Sequence, residues 1–265
     1  GKNKMRIIKN INENWLFTMN AVSNTATLPA DAEALSLPHT WNGKDGQDGG
    51  NDYKRQKCYY FKEITKADLA GEENYLEFDA VNSSAEVFWN GESLMVHHGG
   101  YSRFRVKIPA DKIQDTNILA VSADNSPNEE VYPQVADFTF YGGIYRDVNI
   151  ICVNETHFDL EYFGGKGIVI TPEVNGTAAD VKIDTYINDL ENGDEIAFIV
   201  YDAEGNAVTQ TQNSQTSVNL TIENVHLWNG LKDPFLYTLE ATLLDGDKEL
   251  DSRTVRFGCR FFEID

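Results

Sequence analysis

The amino-acid sequence predicts an all-β protein, and three observations lead there. Apolar and polar residues alternate with a period of two in one segment after another, the pattern of strands with one solvated face. The turn pairs Asn90-Gly91 and Asp245-Gly246 sit between such segments, where residues tolerant of positive φ close tight hairpins. Helical periodicity survives only over ADAEAL (30–35) and ITKADLA (64–70), each shorter than a helix that stands alone.

Along the chain, Leu76, Phe78 and Ala80 alternate with Glu77 and Asp79, which reads as an apolar face with its acids in solvent. SAEVFW (84–89) and ESLMVH (92–97) flank Asn90-Gly91 as the arms of a hairpin. Phe104, Val106 and Ile108 alternate with Arg103, Arg105 and Lys107, a half-buried strand. The apolar run VNIICV (148–153) closes this first block. Val181, Ile183, Thr185 and Ile187 resume the alternation, as do Val218, Leu220 and Ile222, with a longer turn at Glu204-Gly205-Asn206. LYTLEATLL (236–244) and DKELDSRTV (247–255) form the last pair of arms. About fifteen short strands fit two sandwiches better than one barrel. The looser stretch after VNIICV places the boundary near Asn154. The expected domains are residues 1–153 and 154–265, the second of ordinary immunoglobulin-like size.

Lys+Arg 22 against Asp+Glu 42 gives a formal charge of −20. Nucleic acid and anionic membrane surfaces need clustered cations, so neither is an expected partner. Neutral ligands such as sugars are compatible with an acidic surface, and solubility alone also accounts for it. No apolar run approaches the roughly 18–20 residues of a membrane helix. Cys58, Cys152 and Cys259 lie far apart without a CxxC pair, which signals neither a zinc site nor a disulfide framework. Four N-x-S/T triplets, at Asn82, Asn154, Asn175 and Asn219, do not by themselves establish secretion. The chain opens on Gly1 without a signal-peptide core; a periplasmic or extracellular bacterial setting is preferred to a cytoplasmic one.

The usual catalytic patterns do not occur: there is no GxSxG, HExxH, P-loop or GxGxxG. His97 and His98 are neighbours, but on a strand they point to opposite faces and suit a shared metal poorly. Glycosidic chemistry needs two carboxyl groups held about 5–5.5 Å apart for retention or 6.5–9.5 Å for inversion, and the sequence singles out no such pair. The turn-rich loop from Trp41 to Tyr53 carries Asp45, Asp48 and Asp52, yet its spacing fails the calcium-loop pattern; a long binding loop is the expectation, with no metal and no cofactor.

Six further stretches, in this order, carry a resemblance: NWLF (14–17), LPHTWN (37–42), AEVFWNGESL (85–94), HHGGYSRF (97–104), NILAVSADN (117–125) and FTFYGGIYRDV (138–148). They resemble the N-terminal sugar-binding domain of glycoside hydrolase family 2, a jelly-roll sandwich. The second half, with LWNGLKDPFLYTL (227–239) and RFGCR (256–260), is similar to that family's immunoglobulin-like sandwich. The resemblance implies that a catalytic (β/α)8 barrel with both active glutamates would begin where this chain stops, at Asp265, so no residue here is expected to be catalytic. It implies a truncated or proteolysed front portion of a retaining β-glycosidase, closest in wording to the β-galactosidase branch, acting on terminal β-linked carbohydrate. β-Glucuronidases and β-mannosidases share this front architecture. The partners it implies are that carbohydrate, the barrel itself and a homo-oligomer; a stand-alone carbohydrate-binding module is the alternative.

The same resemblance assigns sugar contacts. Asp137, before the glycine pair, and Tyr141 are expected at the pocket, a carboxylate accepting from sugar hydroxyls and a ring covering the apolar face of a pyranose. Asp48 and Asn51 are expected to reach the same place from the loop 41–53. His39 and Trp41 read as packing residues under that loop, and Arg146-Asp147 as a structural charge pair.

Overall fold

The computed structural model describes residues 5–41, 57–99, 103–124, 142–161 and 166–261. Strands and two single turns of 3-10 helix account for its regular structure. The strands preceding residue 154 are β1 (Ile7–Asn10), β2 (Trp15–Thr18), β3 (Glu33–Leu35), β4 (Lys57–Thr65), β5 (Glu73–Phe78), β6 (Val81–Asn82), β7 (Ser84–Trp89), β8 (Glu92–His98), β9 (Phe104–Lys107), β10 (Thr116–Asp124), β11 (Gly143–Ile144) and β12 (Val148–Val153). Those following are β13 (His157–Phe158), β14 (Ile168–Asn175), β15 (Ala178–Thr185), β16 (Ile187–Asn188), β17 (Glu195–Tyr201), β18 (Ala207–Asn213), β19 (Ser217–Ile222), β20 (Tyr237–Asp245) and β21 (Lys248–Phe257). The protein is all-β, a jelly-roll sandwich followed by an immunoglobulin-like one. Contacts divide it into two compact units: Ile8–Cys152, and the chain from Val153 onward together with the residues before Ile8.

In the first unit a six-stranded sheet runs β3-β2-β4-β10-β7-β8, and a four-stranded sheet runs β1-β12-β5-β9. Trp15, Tyr60, Ile64, Leu76, Phe78, Val87, Trp89, Leu119 and Val121 are all buried. The indole N–H groups of the two tryptophans are satisfied by main-chain carbonyls, Trp15 by Ile11 at 2.7 Å and Trp89 by Lys112 at 2.9 Å. Asn90 and Gly91 both have positive φ, 49° and 89°, as a type I′ hairpin requires. Buried Asn117 fixes this end of the sheet: its Nδ2 donates to Ile64 O at 3.1 Å and Gln114 O at 2.9 Å, and its Oδ1 accepts from Asn90 Nδ2 at 3.0 Å.

The second unit pairs β14-β15-β19 with β18-β17-β20-β21. Its core is Phe158, Val181, Ile183, Phe198, Val200, Leu220, Tyr237, Leu239, Leu243 and Phe257 among others, drawn from alternate positions of each strand. The residues before Ile8 join it through Arg6. The Arg6 guanidinium grips Asp251, with Nε–Oδ1 3.1 Å and Nη2–Oδ2 2.7 Å, and Nη2 also donates to Phe158 O at 3.1 Å. Asp251 Oδ2 accepts a further bond from Phe158 N–H at 2.9 Å; both charged side chains are buried, at 5% and 0% exposure.

Two sequence expectations are corrected, at Glu77 and at the last hairpin, and the two stretches with helical periodicity form no α-helix. Glu77 is buried rather than solvated, and Arg105 is buried with it: Arg105 Nε meets Glu77 Oε2 at 2.7 Å while Asn149 Nδ2 donates to Oε1 at 3.1 Å. Such a pair is tolerated inside because every charged oxygen has a donor. ADAEAL is not helical but contains β3, paired with β2 through Trp15↔Leu35. ITKADLA holds only a 3-10 turn at Lys66–Asp68 after the end of β4. The last hairpin turns on Gly246-Asp247, because Asp245 is still paired to Lys248; only Gly246 has positive φ, 59°, the φ sign of a type II′ turn with Gly first.

Candidate functional site

Register brings four polar residues into one row across the six-stranded sheet of the first unit. Lys57 on β4 pairs with Asp124 on β10, Asp124 with Ser84 on β7, and Ser84 with His98 on β8. This row is the end of the sheet opposite the Asn90-Gly91 turn. Residues 42–56 are entered from Trp41 and left at Lys57, and residues 125–141 are entered from Asp124 and left at Gly142. Asp48, Asn51, Asp137 and Tyr141, the four expected sugar contacts, lie outside the described residues. The described residues give the platform from which those segments spring.

Its base is tightly built. Trp41, 5% exposed, makes a bridge to Gly142, its N–H donating to Gly142 O at 3.0 Å. A Cβ on Gly142 would fall 2.5 Å from Trp41 Cε2, so glycine is required for the indole to lie against the main chain. Gly143, at φ 131°, is held as closely: a Cβ there would meet His39 O at 2.6 Å and Tyr60 Oη at 2.7 Å. His39 Nδ1 and Tyr60 Oη share a hydrogen bond of 2.7 Å, and the Phe17 ring packs against both, 4.6 Å from His39 and 5.0 Å from Tyr60. His39 and Trp41 are thus packing residues.

Electrostatics agree with a structural base. Burial lowers the His39 pKa, against a smaller raising effect from Glu33, which favours the neutral ring. Burial pushes the Cys58 thiol up to about 12, and Cys58 Sγ donates to Ala123 O at 3.5 Å; it is an inert thiol, not a nucleophile. Burial raises the Tyr60 phenol too. The Trp41 indole N–H is buried beside the Cys58 sulfur, with no conventional acceptor among the described residues.

At the rim, Ser84 Oγ and His98 Nδ1 are 3.0 Å apart, and Lys57 Nζ lies 5.5 Å from the centre of the Tyr59 ring. His97 turns to the other face and stacks on Phe104 at 4.2 Å, as neighbours on a strand must. Arg146 and Asp147 are exposed and do not form the expected ion pair; Asp147 Oδ1 instead accepts from Asn12 Nδ2 at 2.7 Å. No group of three or more metal-binding side chains occurs among the described residues. The rim row was missed from sequence; its only signal is strand register, which emerges once hairpin ends are fixed.

Comparison with known proteins identifies both units. Residues 8–153 match the sugar-binding domain of glycosyl hydrolases family 2, and residues 166–260 match a further family 2 domain. A β-glucuronidase of Bacteroides fragilis is 32% identical over 96% of this chain, which spans 38% of that protein's length. A β-galactosidase of Bacteroides ovatus is 31% identical over 89% of the chain, spanning 29% of that protein. The crystal structure of a Bacteroides uniformis β-glucuronidase superposes with a TM-score of 0.85 at 26% identity, covering 98% of this chain and 33% of that one. The chain belongs to glycosyl hydrolases family 2, with that family's sugar-binding and immunoglobulin-like sandwiches as its two units.

Proposed function

We propose that this chain is the non-catalytic front portion of a retaining β-glycosidase, its first sandwich supplying loops that wall the sugar pocket of a catalytic barrel. The observation that supports the reading is one of extent: both units match family 2, yet the chain spans 38% of the Bacteroides fragilis relative. Relatives bearing β-glucuronidase and β-galactosidase names match alike, so the substrate class proposed is a terminal β-linked hexose or hexuronic acid. In such a reaction one carboxylate of the barrel forms the covalent glycosyl intermediate, while a second carboxyl group protonates the leaving oxygen and then activates water. The part given to this chain is to orient the sugar: Asp137 accepting from a hydroxyl, Tyr141 covering the apolar ring face, Asp48 and Asn51 completing the rim. The buried Trp41–Gly142 and His39–Tyr60 contacts support it, because a binding loop needs fixed ends.

Two assays test the proposal. The 265-residue chain alone is expected to release no chromophore from β-galactoside or β-glucuronide substrates, and measurable turnover by the pure chain overturns the non-catalytic role. In the barrel-bearing parent enzyme, Asp137→Ala is expected to lower kcat/KM roughly tenfold to a hundredfold, as loss of one or two sugar hydrogen bonds does. An unchanged kcat/KM removes Asp137 from the pocket. Saturable calorimetric binding of galactose or lactose to the isolated chain would instead favour a free-standing carbohydrate-binding module.

A further inference from the structure

We propose that Asn192-Gly193, in the turn leading into β17, is a self-modification site at which the asparagine amide converts to aspartate and isoaspartate. The Gly193 main-chain nitrogen attacks the side-chain carbonyl carbon of Asn192, Cγ. That C–N bond forms as the Cγ–Nδ2 bond breaks, and the amide leaves as ammonia, carrying the proton of the attacking nitrogen. Water then opens the cyclic imide at either carbonyl, which restores the normal main-chain link or routes it through the side chain, with a free carboxylate in both cases. Water is the only co-reactant. A following glycine leaves the attacking nitrogen unobstructed, because it has no side chain.

Asn-Gly occurs five times, at Asn42, Asn90, Asn175, Asn192 and Asn229, and the first lies outside the described residues. The other four differ in what holds the groups that must move. Asn90 is half-buried and its side chain is fixed three ways: Nδ2 donates to Lys112 O at 3.2 Å and to Asn117 Oδ1 at 3.0 Å, and Oδ1 accepts from Ile118 N–H at 2.8 Å. Asn175 is paired with Ala178 in the ladder, and its Nδ2 donates to Asp180 Oδ2 at 3.4 Å. The Asn229 carbonyl belongs to the peptide group that must turn, and it accepts from Lys232 N–H at 3.0 Å and Asp233 N–H at 3.2 Å.

Asn192 has no such restraint. It and Gly193 are exposed, and neither its side chain nor the Asn192–Gly193 peptide group makes a hydrogen bond among the described residues. The turn is closed outside that group, by Asp194 N–H donating to Glu191 O at 3.1 Å and Glu191 N–H donating to Asp194 Oδ2 at 2.9 Å. Gly193 has φ 95°, the sign required at the second central position of a type II turn. Types I and II differ by a flip of this central peptide, so it can rotate toward the side chain while the turn stays closed. A methyl added at Gly193 would meet nothing within 4 Å, so the imide has room. Its opening adds a negative charge to a chain of formal charge −20, and isoaspartate lengthens the main chain just before buried Asp194.

Incubation of the folded 265-residue chain at mildly alkaline pH, with mass-spectrometric peptide mapping of each Asn-Gly over time, tests the proposal. Asn192 is expected to convert first, at least about tenfold faster than Asn90, whose three hydrogen bonds must break before attack. Both aspartate and isoaspartate are expected in its peptide, since direct hydrolysis of the amide would give aspartate alone. In urea, where the restraints are gone, the rates at Asn90, Asn175, Asn192 and Asn229 should draw together. Folded-state conversion at Asn192 no faster than at any of the other three overturns the proposal. An ordering that survives in urea also overturns it, because neighbouring sequence and not the fold would then set the rates. A product that is aspartate alone overturns the imide route.

Discussion

Gly142 and Gly143 are where single atoms matter most in the first unit. The structure gives each a reason to be glycine: Trp41 lies against Gly142, while His39 O and Tyr60 Oη crowd Gly143 at φ 131°. Gly143→Ala therefore meets backbone strain and a clash with a main-chain carbonyl that cannot swing aside. Overpacking and left-handed strain together cost roughly 2–4 kcal/mol. Gly246, at φ 59° with nothing within 4 Å of an added methyl, meets only the strain, so Gly246→Ala should cost about 1 kcal/mol. Urea unfolding of the two variants followed by tryptophan fluorescence checks the ordering. Equal losses would mean that crowding at Gly143 is relieved by movement of His39 or Tyr60.

At the scale of elements, legibility tracked how many faces of a strand meet solvent. β15, β19 and β20 each bury one face, so Val181, Ile183, Val218 and Leu220 announced their strands by alternation alone. β5 and β9 bury both, and the same alternation misled: Glu77 and Arg105 looked solvated because a charge facing a charge is invisible without the partner strand. β3, three residues long, is too short to show any period. The packing half of the candidate site was legible in LPHTW; the row Lys57–Asp124–Ser84–His98 was not, since it exists only as cross-strand register. The Glu77–Arg105 rung also carries a pH dependence. Burial acts to raise the Glu77 carboxyl, but bonds from Arg105 and Asn149 and the charges of Arg105 and Arg103 outweigh it and hold it below its usual 4.5. A depressed carboxyl stabilises the fold above its unfolded pKa, and that contribution is lost as pH falls through the folded value. Stability of the first unit should thus drop below about pH 4.5, more steeply than in Glu77→Gln, whose side chain does not titrate. Parallel acid-unfolding curves for the two proteins would refute this.

On the scale of the whole molecule, chain order and compact unit part company at the start of the sequence. Arg6 precedes the first strand of the first sandwich, yet its guanidinium is buried against Asp251 and the Phe158 carbonyl in the unit formed by the chain after Val153. Each unit has its own core, so each is expected to report damage to its own contacts. Replacing Arg6 by Ala leaves Asp251, at 0% exposure, with a buried carboxylate that has lost its counter-charge and keeps only the Phe158 N–H. Removing one partner of such a pair costs about 3–5 kcal/mol, whereas replacing both together costs far less, because no orphan charge remains. Arg6→Ala should therefore loosen the second sandwich, 245 residues away in sequence, and leave the first unit's amides unchanged. Arg6→Met with Asp251→Leu should recover most of the loss. Hydrogen exchange resolved by peptide distinguishes the outcomes: faster exchange in β13, β20 and β21 for the single variant supports the assignment, and faster exchange confined to β2, β4 and β10 would place the effect of Arg6 in the wrong unit.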